Sequence, residues 1–196
     1  MADNETTKNA TDVTFTVATS DDGTAHAPRT VKCTAQVAAN FTRPADTNAY
    51  AANDAVNNST SAPTVMTFSS CARVNAGMGC IVDASLQISD KNAVAAEFHL
   101  YLLDATFTPQ NDNAAFGPSD AENQATQCIL HFTPALMSDG SNNRIYKLAQ
   151  HSKGQWFKCA AASKALYGTL LTRTAYTPTN AETYYIDLNI IQETGY

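Results

Sequence analysis

A chain of 196 residues and 20.9 kDa fits one domain, or one domain with an arm, and at that length can bury about 70% of its unfolded surface without staples. Hydrophobic residues make up 44% and charged residues only 15%, where about 25% charged is usual, so the expected surface is polar but neutral, built from Ala, Thr, Asn and Ser. A net charge of -6 and a pI near 5.0 leave no Lys and Arg cluster to displace counterions from phosphates, and no apolar run is long enough for a membrane-spanning helix. Neither nucleic acid nor membrane is expected as a partner.

Residues 1 to about 12 are Asn, Thr, Asp and Lys with little to bury, the composition of an arm that orders against a partner. The opening Met1-Ala2-Asp3-Asn4-Glu5 lacks the basic-then-apolar order of a secretory signal, so folding in a cytoplasm is expected. Val13, Phe15 and Val17 then alternate with Thr14, Thr16 and Ala18, the period of a half-buried strand, and Ser20-Asp21-Asp22-Gly23 reads as the turn that closes it. Residues 1–28 are therefore expected to form an N-terminal arm with the first strand, and residues 29–196 a β-sandwich domain.

Strand patterns continue over Arg29–Phe41 and Thr64–Val74, separated by a Pro- and Asx-rich run in which Ala45–Val56 has room for a turn or two of helix. Gly77-Met78-Gly79 reads as a turn. After it, Cys80, Val82, Ala84, Leu86 and Ile88 face one way, and Asp83, Ser85, Gln87 and Ser89 the other. Phe98, Leu100 and Leu102 oppose His99, Tyr101 and Leu103, and apolar residues on both sides suggest a central strand covered twice. Pro118–Ala125 reads as a short helix with Ser119 as N-cap and Glu122 three residues on. Further strands are expected over Thr126–Phe132, Arg144–Ala149, Gln155–Ala160 and Leu166–Tyr176, and on the Tyr184, Ile186, Leu188, Ile190 face. Some ten short strands with Gly, Pro and Asn punctuation predict an all-β chain: a two-sheet antiparallel β-sandwich, jelly-roll-like, with a polar N-terminal arm.

Motifs for nucleophilic, phosphate-binding, dinucleotide or zinc chemistry are missing, so neither an enzyme nor a cofactor is expected. His26, His99, His131 and His151 are scattered, and the two that sit among strand residues, His99 and His131, read as hydrogen-bonded sheet histidines. Asp83, Glu97, Asp104 and Asp187 lie on or beside strands, but glycosidase chemistry needs two acids at a set separation, which spacing alone does not show. The loop from Asp104 to Asp120 offers oxygen ligands for Ca²⁺ without EF-hand spacing, and reads as an Asx-rich turn. Cys33, Cys71, Cys80, Cys128 and Cys159, an odd count in a reducing compartment, read as small buried hydrophobes, with a Cys71–Cys80 bridge as the alternative. Trp156 and Phe157 either stack on sugars or belong to the core.

The run Arg43-Pro44-Ala45-Asp46-Thr47-Asn48-Ala49-Tyr50-Ala51-Ala52-Asn53-Asp54-Ala55-Val56 resembles a phrase near the start of small virion proteins of tailed bacteriophages. Met66–Val74, Leu100–Ala105 with Asn111–Phe116, and Leu166–Gly168 with Ala175–Pro178 follow in the same order, so the resemblance covers about Phe41 to Ile190. It implies a capsid decoration, or cement, protein: a β-sandwich made in the bacterial host cytoplasm that docks on the outer surface of the phage head and bridges major capsid protein subunits. A homotrimer is the preferred self-association, with a dimer possible. Arg43, Asp46, Tyr50 and Asp54 are the residues expected to make capsid or inter-subunit contacts. The alternative is a virion-borne glycan-binding module that stacks sugars on Trp156, Tyr50 and Tyr101.

Overall fold

The computed structural model describes residues 4–8, 14–18, 33–89, 95–139, 143–148 and 154–193. The chain divides into two compact units, Met1–Val31 and Lys32–Tyr196. In the first, β1 (Asn4–Lys8) pairs antiparallel with β2 (Thr14–Ala18), Asn4 opposite Ala18 and Lys8 opposite Thr14. The alternation over Val13–Ala18 therefore marks a real strand. Asn4–Lys8, which composition assigns to an arm that orders against a partner, pairs with it. The turn expected at Ser20–Gly23 lies outside the described residues, as do His26 and His151.

The second unit holds β3 (Cys33–Thr42), β4 (Ala55–Val56), β5 (Met66–Phe68), β6 (Met78–Ile88), β7 (Phe98–Leu103), α1 (Asp120–Ala125), β8 (Thr126–Asp139), β9 (Arg144–Leu148), β10 (Gln155–Lys158), β11 (Leu166–Thr172) and β12 (Thr183–Gln192). Its ten strands form one antiparallel sheet in the order β3-β12-β6-β9-β8-β7-β11-β4, with β10 added on β6 and β5 on β11. The fold is all-β, and the sheet curls. Strand β8 carries the curl: Thr126–Phe132 lies against β7 and Met137–Asp139 against β9, with the register broken between them. Such a break bends a strand and lets it serve both flanks.

Curling brings the apolar faces together over one core. From β6 and β12 come Ala84, Leu86, Ile88, Tyr184, Ile186 and Leu188, and from β7, β8 and β11 come Phe98, Leu100, Leu102, Leu130, Phe132 and Leu170. These residues follow the period of two that puts every second side chain on one face. Phe98 lies edge-on to Tyr146, Tyr176 and Tyr184, with ring centroids 5.6, 5.6 and 6.2 Å away. The other face of β7 is covered too, where Tyr101 tilts over Phe116 at 5.0 Å and His99 stacks on His131 at 3.9 Å.

Three local expectations change. Val82 does not share the face of Ala84, Leu86 and Ile88: it is 49% exposed, while Ile81 is fully buried. The β6–β12 register shifts between Asn189 and Ile190, leaving Val82 as an extra residue, and a one-residue slip exchanges the two faces beyond it. Met78 and Gly79 belong to β6 rather than to a turn, paired with Lys158 and Phe157 of β10, and a Cβ at Gly79 would stand 2.6 Å from the Phe157 ring. Ala45–Val56 forms no helix; only Ala55–Val56 is regular, as strand. The second helix matches its signature, with Glu122 N–H donating to Ser119 Oγ at 3.3 Å and Ser119 N–H to Glu122 Oε2 at 2.6 Å.

Because Phe98 links the aromatic side chains of three other strands and loops, Phe98→Ala is expected to cost about 3–5 kcal/mol. The measurement is a drop in urea midpoint with an unchanged slope; a cost under about 1 kcal/mol would show that the rings do not share one core.

Candidate functional site

Arg43 is the first residue past β3, and its backbone N–H donates to Glu182 O at 2.9 Å, keeping the chain in line with the start of β12. Pro44 cannot extend the ladder, so the chain leaves the sheet there. Asp46 then forms an Asx turn, its Oδ1 accepting Asn48 N–H at 3.1 Å. The turn brings the Asp46 carboxylate and carbonyl back over Arg43.

The Arg43 side chain has no exposed surface, yet all five of its N–H groups are used. Nε donates to Tyr50 OH at 3.0 Å. Nη1 donates to the carbonyls of Asp46 at 2.6 Å and Thr179 at 3.3 Å, and Nη2 to Asp46 Oδ1 at 2.9 Å and Asp112 Oδ2 at 3.3 Å. Tyr50 OH donates in turn to Asp112 Oδ1 at 2.5 Å, and the same oxygen accepts Asn57 N–H at 2.9 Å. A buried cation with all its donors used thus meets a buried carboxylate that accepts three hydrogen bonds, the condition under which burying charge is tolerable.

A second acid, Glu182, closes the other side. Its Oε2 accepts from Tyr184 OH at 2.8 Å, and its Oε1 takes the Thr179 N–H and hydroxyl at 2.9 Å each. Tyr184 in turn accepts from Tyr176 OH at 2.7 Å, and Tyr176 stacks on Tyr50 with centroids 5.1 Å apart. At the far end of the loop Asp54 Oδ2 accepts Ala51 N–H at 2.6 Å, and Asn53 takes a positive φ of 74°. Asn53 is held there by Arg173 through its side chain and by Thr172 O, 2.7 Å from its N–H.

Electrostatics follow from this packing. Burial works against the Arg43 cation, but the bonds to Tyr50 and Asp46 and the charge of Asp112 outweigh it and keep the guanidinium protonated. Burial, with neighbouring phenols and carboxylates, pushes Tyr50, Tyr176 and Tyr184 above the ordinary tyrosine value. The Asn48 N–H, helped by Arg43, draws Asp46 below the ordinary carboxylate value.

The four residues expected to touch a partner are thus brought together, but mostly inward. Arg43 and Tyr50 are each 2% exposed and Asp54 8%, so their polar groups are spent inside the chain. Asp46 keeps 28% of its side chain exposed. What the network presents outward is the tip between them, where Thr47, Asn48, Ala49, Ala51, Ala52 and Asn53 are exposed. Asp112 is the member that the sequence conceals, since it lies 69 residues from Arg43 in a loop that reads as an Asx-rich turn.

Other expectations resolve separately. Asp83 and Asp187 are diagonal neighbours on the outer face of β6 and β12, whereas Glu97 and Asp104 flank opposite ends of β7. Glu97 Oε1 lies 3.1 Å from His99 Nε2. Burial nonetheless holds His99 below the ordinary histidine value, with His131 and Arg173 adding to the effect. The two strand histidines meet, which spacing could not show. Cys71, Cys80, Cys128 and Cys159 are buried free thiols, so no Cys71–Cys80 bridge forms. Among the described residues no three acids, histidines or cysteines converge as metal ligands, and the Asp104–Asp120 loop instead commits Asp112 to Arg43. Trp156 is 56% exposed and not part of the core.

A scan against protein-family models finds no match to this chain, and a search of curated proteins finds none.

Removing Asp112 leaves Arg43 with Asp46 as its one carboxylate partner and takes the acceptor from buried Tyr50 OH and Asn57 N–H, so Asp112→Ala is expected to cost about 3 kcal/mol in urea unfolding and to open the 44–53 loop to limited proteolysis. A variant as stable and as resistant as the parent would show that the pair contributes nothing.

The raised tyrosines hold their protons longer in the folded chain, so their contribution is complete below about pH 10 and is lost as pH rises above it. Burial also pushes the Cys159 thiol up to about 11 and the Cys71 and Cys128 thiols up to about 12, so they begin the loss near pH 8.5. Urea midpoints are therefore expected to hold from about pH 7 to 8 and fall from about pH 9 upward, less steeply above about pH 10 in Tyr50→Phe. A flat profile would contradict this.

Proposed function

We propose that this chain is a bacteriophage capsid decoration protein that binds the outside of an icosahedral head and bridges major capsid protein subunits. In this reading the curled sheet works as the two facing layers of a jelly-roll-like sandwich, whose inner faces share the single core of β6, β12, β7, β8 and β11. The observation that carries the proposal is that the run with the phage resemblance is the loop held from inside by Arg43, Tyr50 and Asp112, leaving the Thr47–Asn53 tip as its outward part.

A loop fixed before binding loses less freedom on docking, so a small contact area yields more affinity. A grip of about 8 kcal/mol per subunit corresponds to micromolar affinity. An oligomer that engages several shell sites makes each later contact intramolecular, so modest grips add to lasting attachment. Arg43, Tyr50 and Asp54 act in this scheme by positioning, while Asp46 and the exposed tip meet the shell. Self-association, as a trimer in preference to a dimer, supplies the several grips.

Quantifying this polypeptide in purified particles, with and without heat challenge, tests the proposal. The expected result is a copy number that scales with the capsomers of the shell, and earlier DNA release from particles that lack the chain. A handful of copies per particle would point to a portal or tail location, and equal heat survival would remove the cementing role.

The exposure of Trp156 favours one second reading, a virion-borne glycan-binding module. Tyr50 is buried and Tyr101 packs on Phe116, so only Trp156 of the three stacking candidates offers a free ring face. A glycan array with strong binding that disappears in Trp156→Ala would support this reading over the shell; no binding would leave the shell reading in place.

A further inference from the structure

The ten residues of β3, Cys-Thr-Ala-Gln-Val-Ala-Ala-Asn-Phe-Thr, pair without a break along β12, and no other described strand pairs the opposite edge. Long free edges invite foreign strands, and proteins blunt them with charge, Pro, bulges or short length. This edge has none of these. At the other end of the same sheet, by contrast, β4 has two residues and β5 three. Over Ala39–Phe41 the β3 edge faces Val56–Asn58 and β5 across a cleft of about 220 Å³, so the part with no described strand across it is Cys33–Ala38.

The chain also contains an element with the opposite deficiency. Strands β1 and β2 form a two-stranded sheet of their own, a structure of marginal stability in water unless further strands or a helix join it. Their charges are segregated: β2, Thr-Phe-Thr-Val-Ala, has none, whereas β1, Asn-Glu-Thr-Thr-Lys, has Glu5 and Lys8. The five residues of β2 match the Cys33–Ala38 part of β3 in length. Placed along β3, β2 would complete the ladder and β1 would become a charged, protected edge.

We propose that the β1–β2 hairpin of one copy adds to the β3 edge, over Cys33–Ala38, of a second copy, so that copies associate by exchanging strands. The hairpin that fills the edge comes from a neighbouring copy, and that copy's edge takes a hairpin in turn. The 14 residues between Ala18 and Cys33 span up to about 50 Å when extended, enough to reach one. Main-chain pairing supplies the attraction, as in other cases of strand addition to a sheet edge. Reciprocal exchange closes a dimer, and head-to-tail exchange closes a ring such as a trimer. The inference deepens the self-association in the proposed function. It is tested in solution without particles, so its failure is distinct from failure of shell binding.

The test uses two full-length variants and light scattering after gel filtration. Gln36→Lys with Ala38→Lys places charges on exposed positions of the β3 edge and leaves the hairpin intact. Thr16→Pro breaks the hairpin and leaves the edge intact. The wild type is expected at a multiple of its 20.9 kDa chain mass, each variant alone as monomer, and their equimolar mixture at twice the chain mass. A monomeric wild type, a Thr16→Pro chain that still associates, or a mixture that stays monomeric would each overturn the proposal. Should the lysine variant fail to fold, amide exchange decides the matter. Consecutive Cys33–Ala38 amides are expected to be protected in the wild type, and alternate ones to exchange fast in Thr16→Pro. Protection that is the same in both chains overturns the proposal.

Discussion

A guanidinium with no access to water must find a partner for every proton it carries, and in this protein that requirement falls on Arg43. Its partners lie far apart in sequence: Asp46 three residues on, Tyr50 seven, Asp112 69 and Thr179 136. Satisfying one side chain therefore fixes the end of β3, the start of β12, the 54–57 segment and the loop that follows β7. A buried ion pair of this kind adds little net stability relative to a well-packed apolar substitute. What it adds here is a single arrangement, because most other placements of these loops leave a charge unpaired.

Much of the scaffold was readable because burial on a curled sheet imposes a period of two. Nearly every segment with that alternation is a strand, and Ser119 with Glu122 marks the α1 start by local chemistry alone. Legibility failed where structure depends on a residue distant in sequence. The Val82 bulge is set by the register against Asn189 and Ile190, so the β6 pattern alone assigns the wrong face. Strand β4 is too short to show a period, and β1 is polar throughout; each is defined by its pairing partner.

For the site, the residue types misled. Arg, Asp and Tyr in a Pro- and Asn-rich run read as surface chemistry, and burial of Arg43 is visible only once Asp112 is placed beside it. The same reasoning applied to Trp156 fails in the other direction: a large aromatic reads as core, yet the outer face of β10 leaves it in water. One local sign was available. An arginine immediately before proline at a strand exit, with an acid three residues on, is placed to cap its own turn, and a tyrosine seven residues on has the reach to join it.

The Lys32–Tyr196 unit thus joins a curled antiparallel scaffold, a loop fixed from below by a buried charge network, and an exposed tip of Thr, Asn and Ala residues. Arg43 and Asp112 act as one unit in holding this loop, and a double-mutant cycle measures this most directly. Urea unfolding of Arg43→Ala, Asp112→Ala and the double variant is expected to give a coupling of about 1.5–3 kcal/mol, the double variant costing far less than the two singles combined. Additivity within about 0.5 kcal/mol would contradict the claim, because the loop would then be held by something other than this pair.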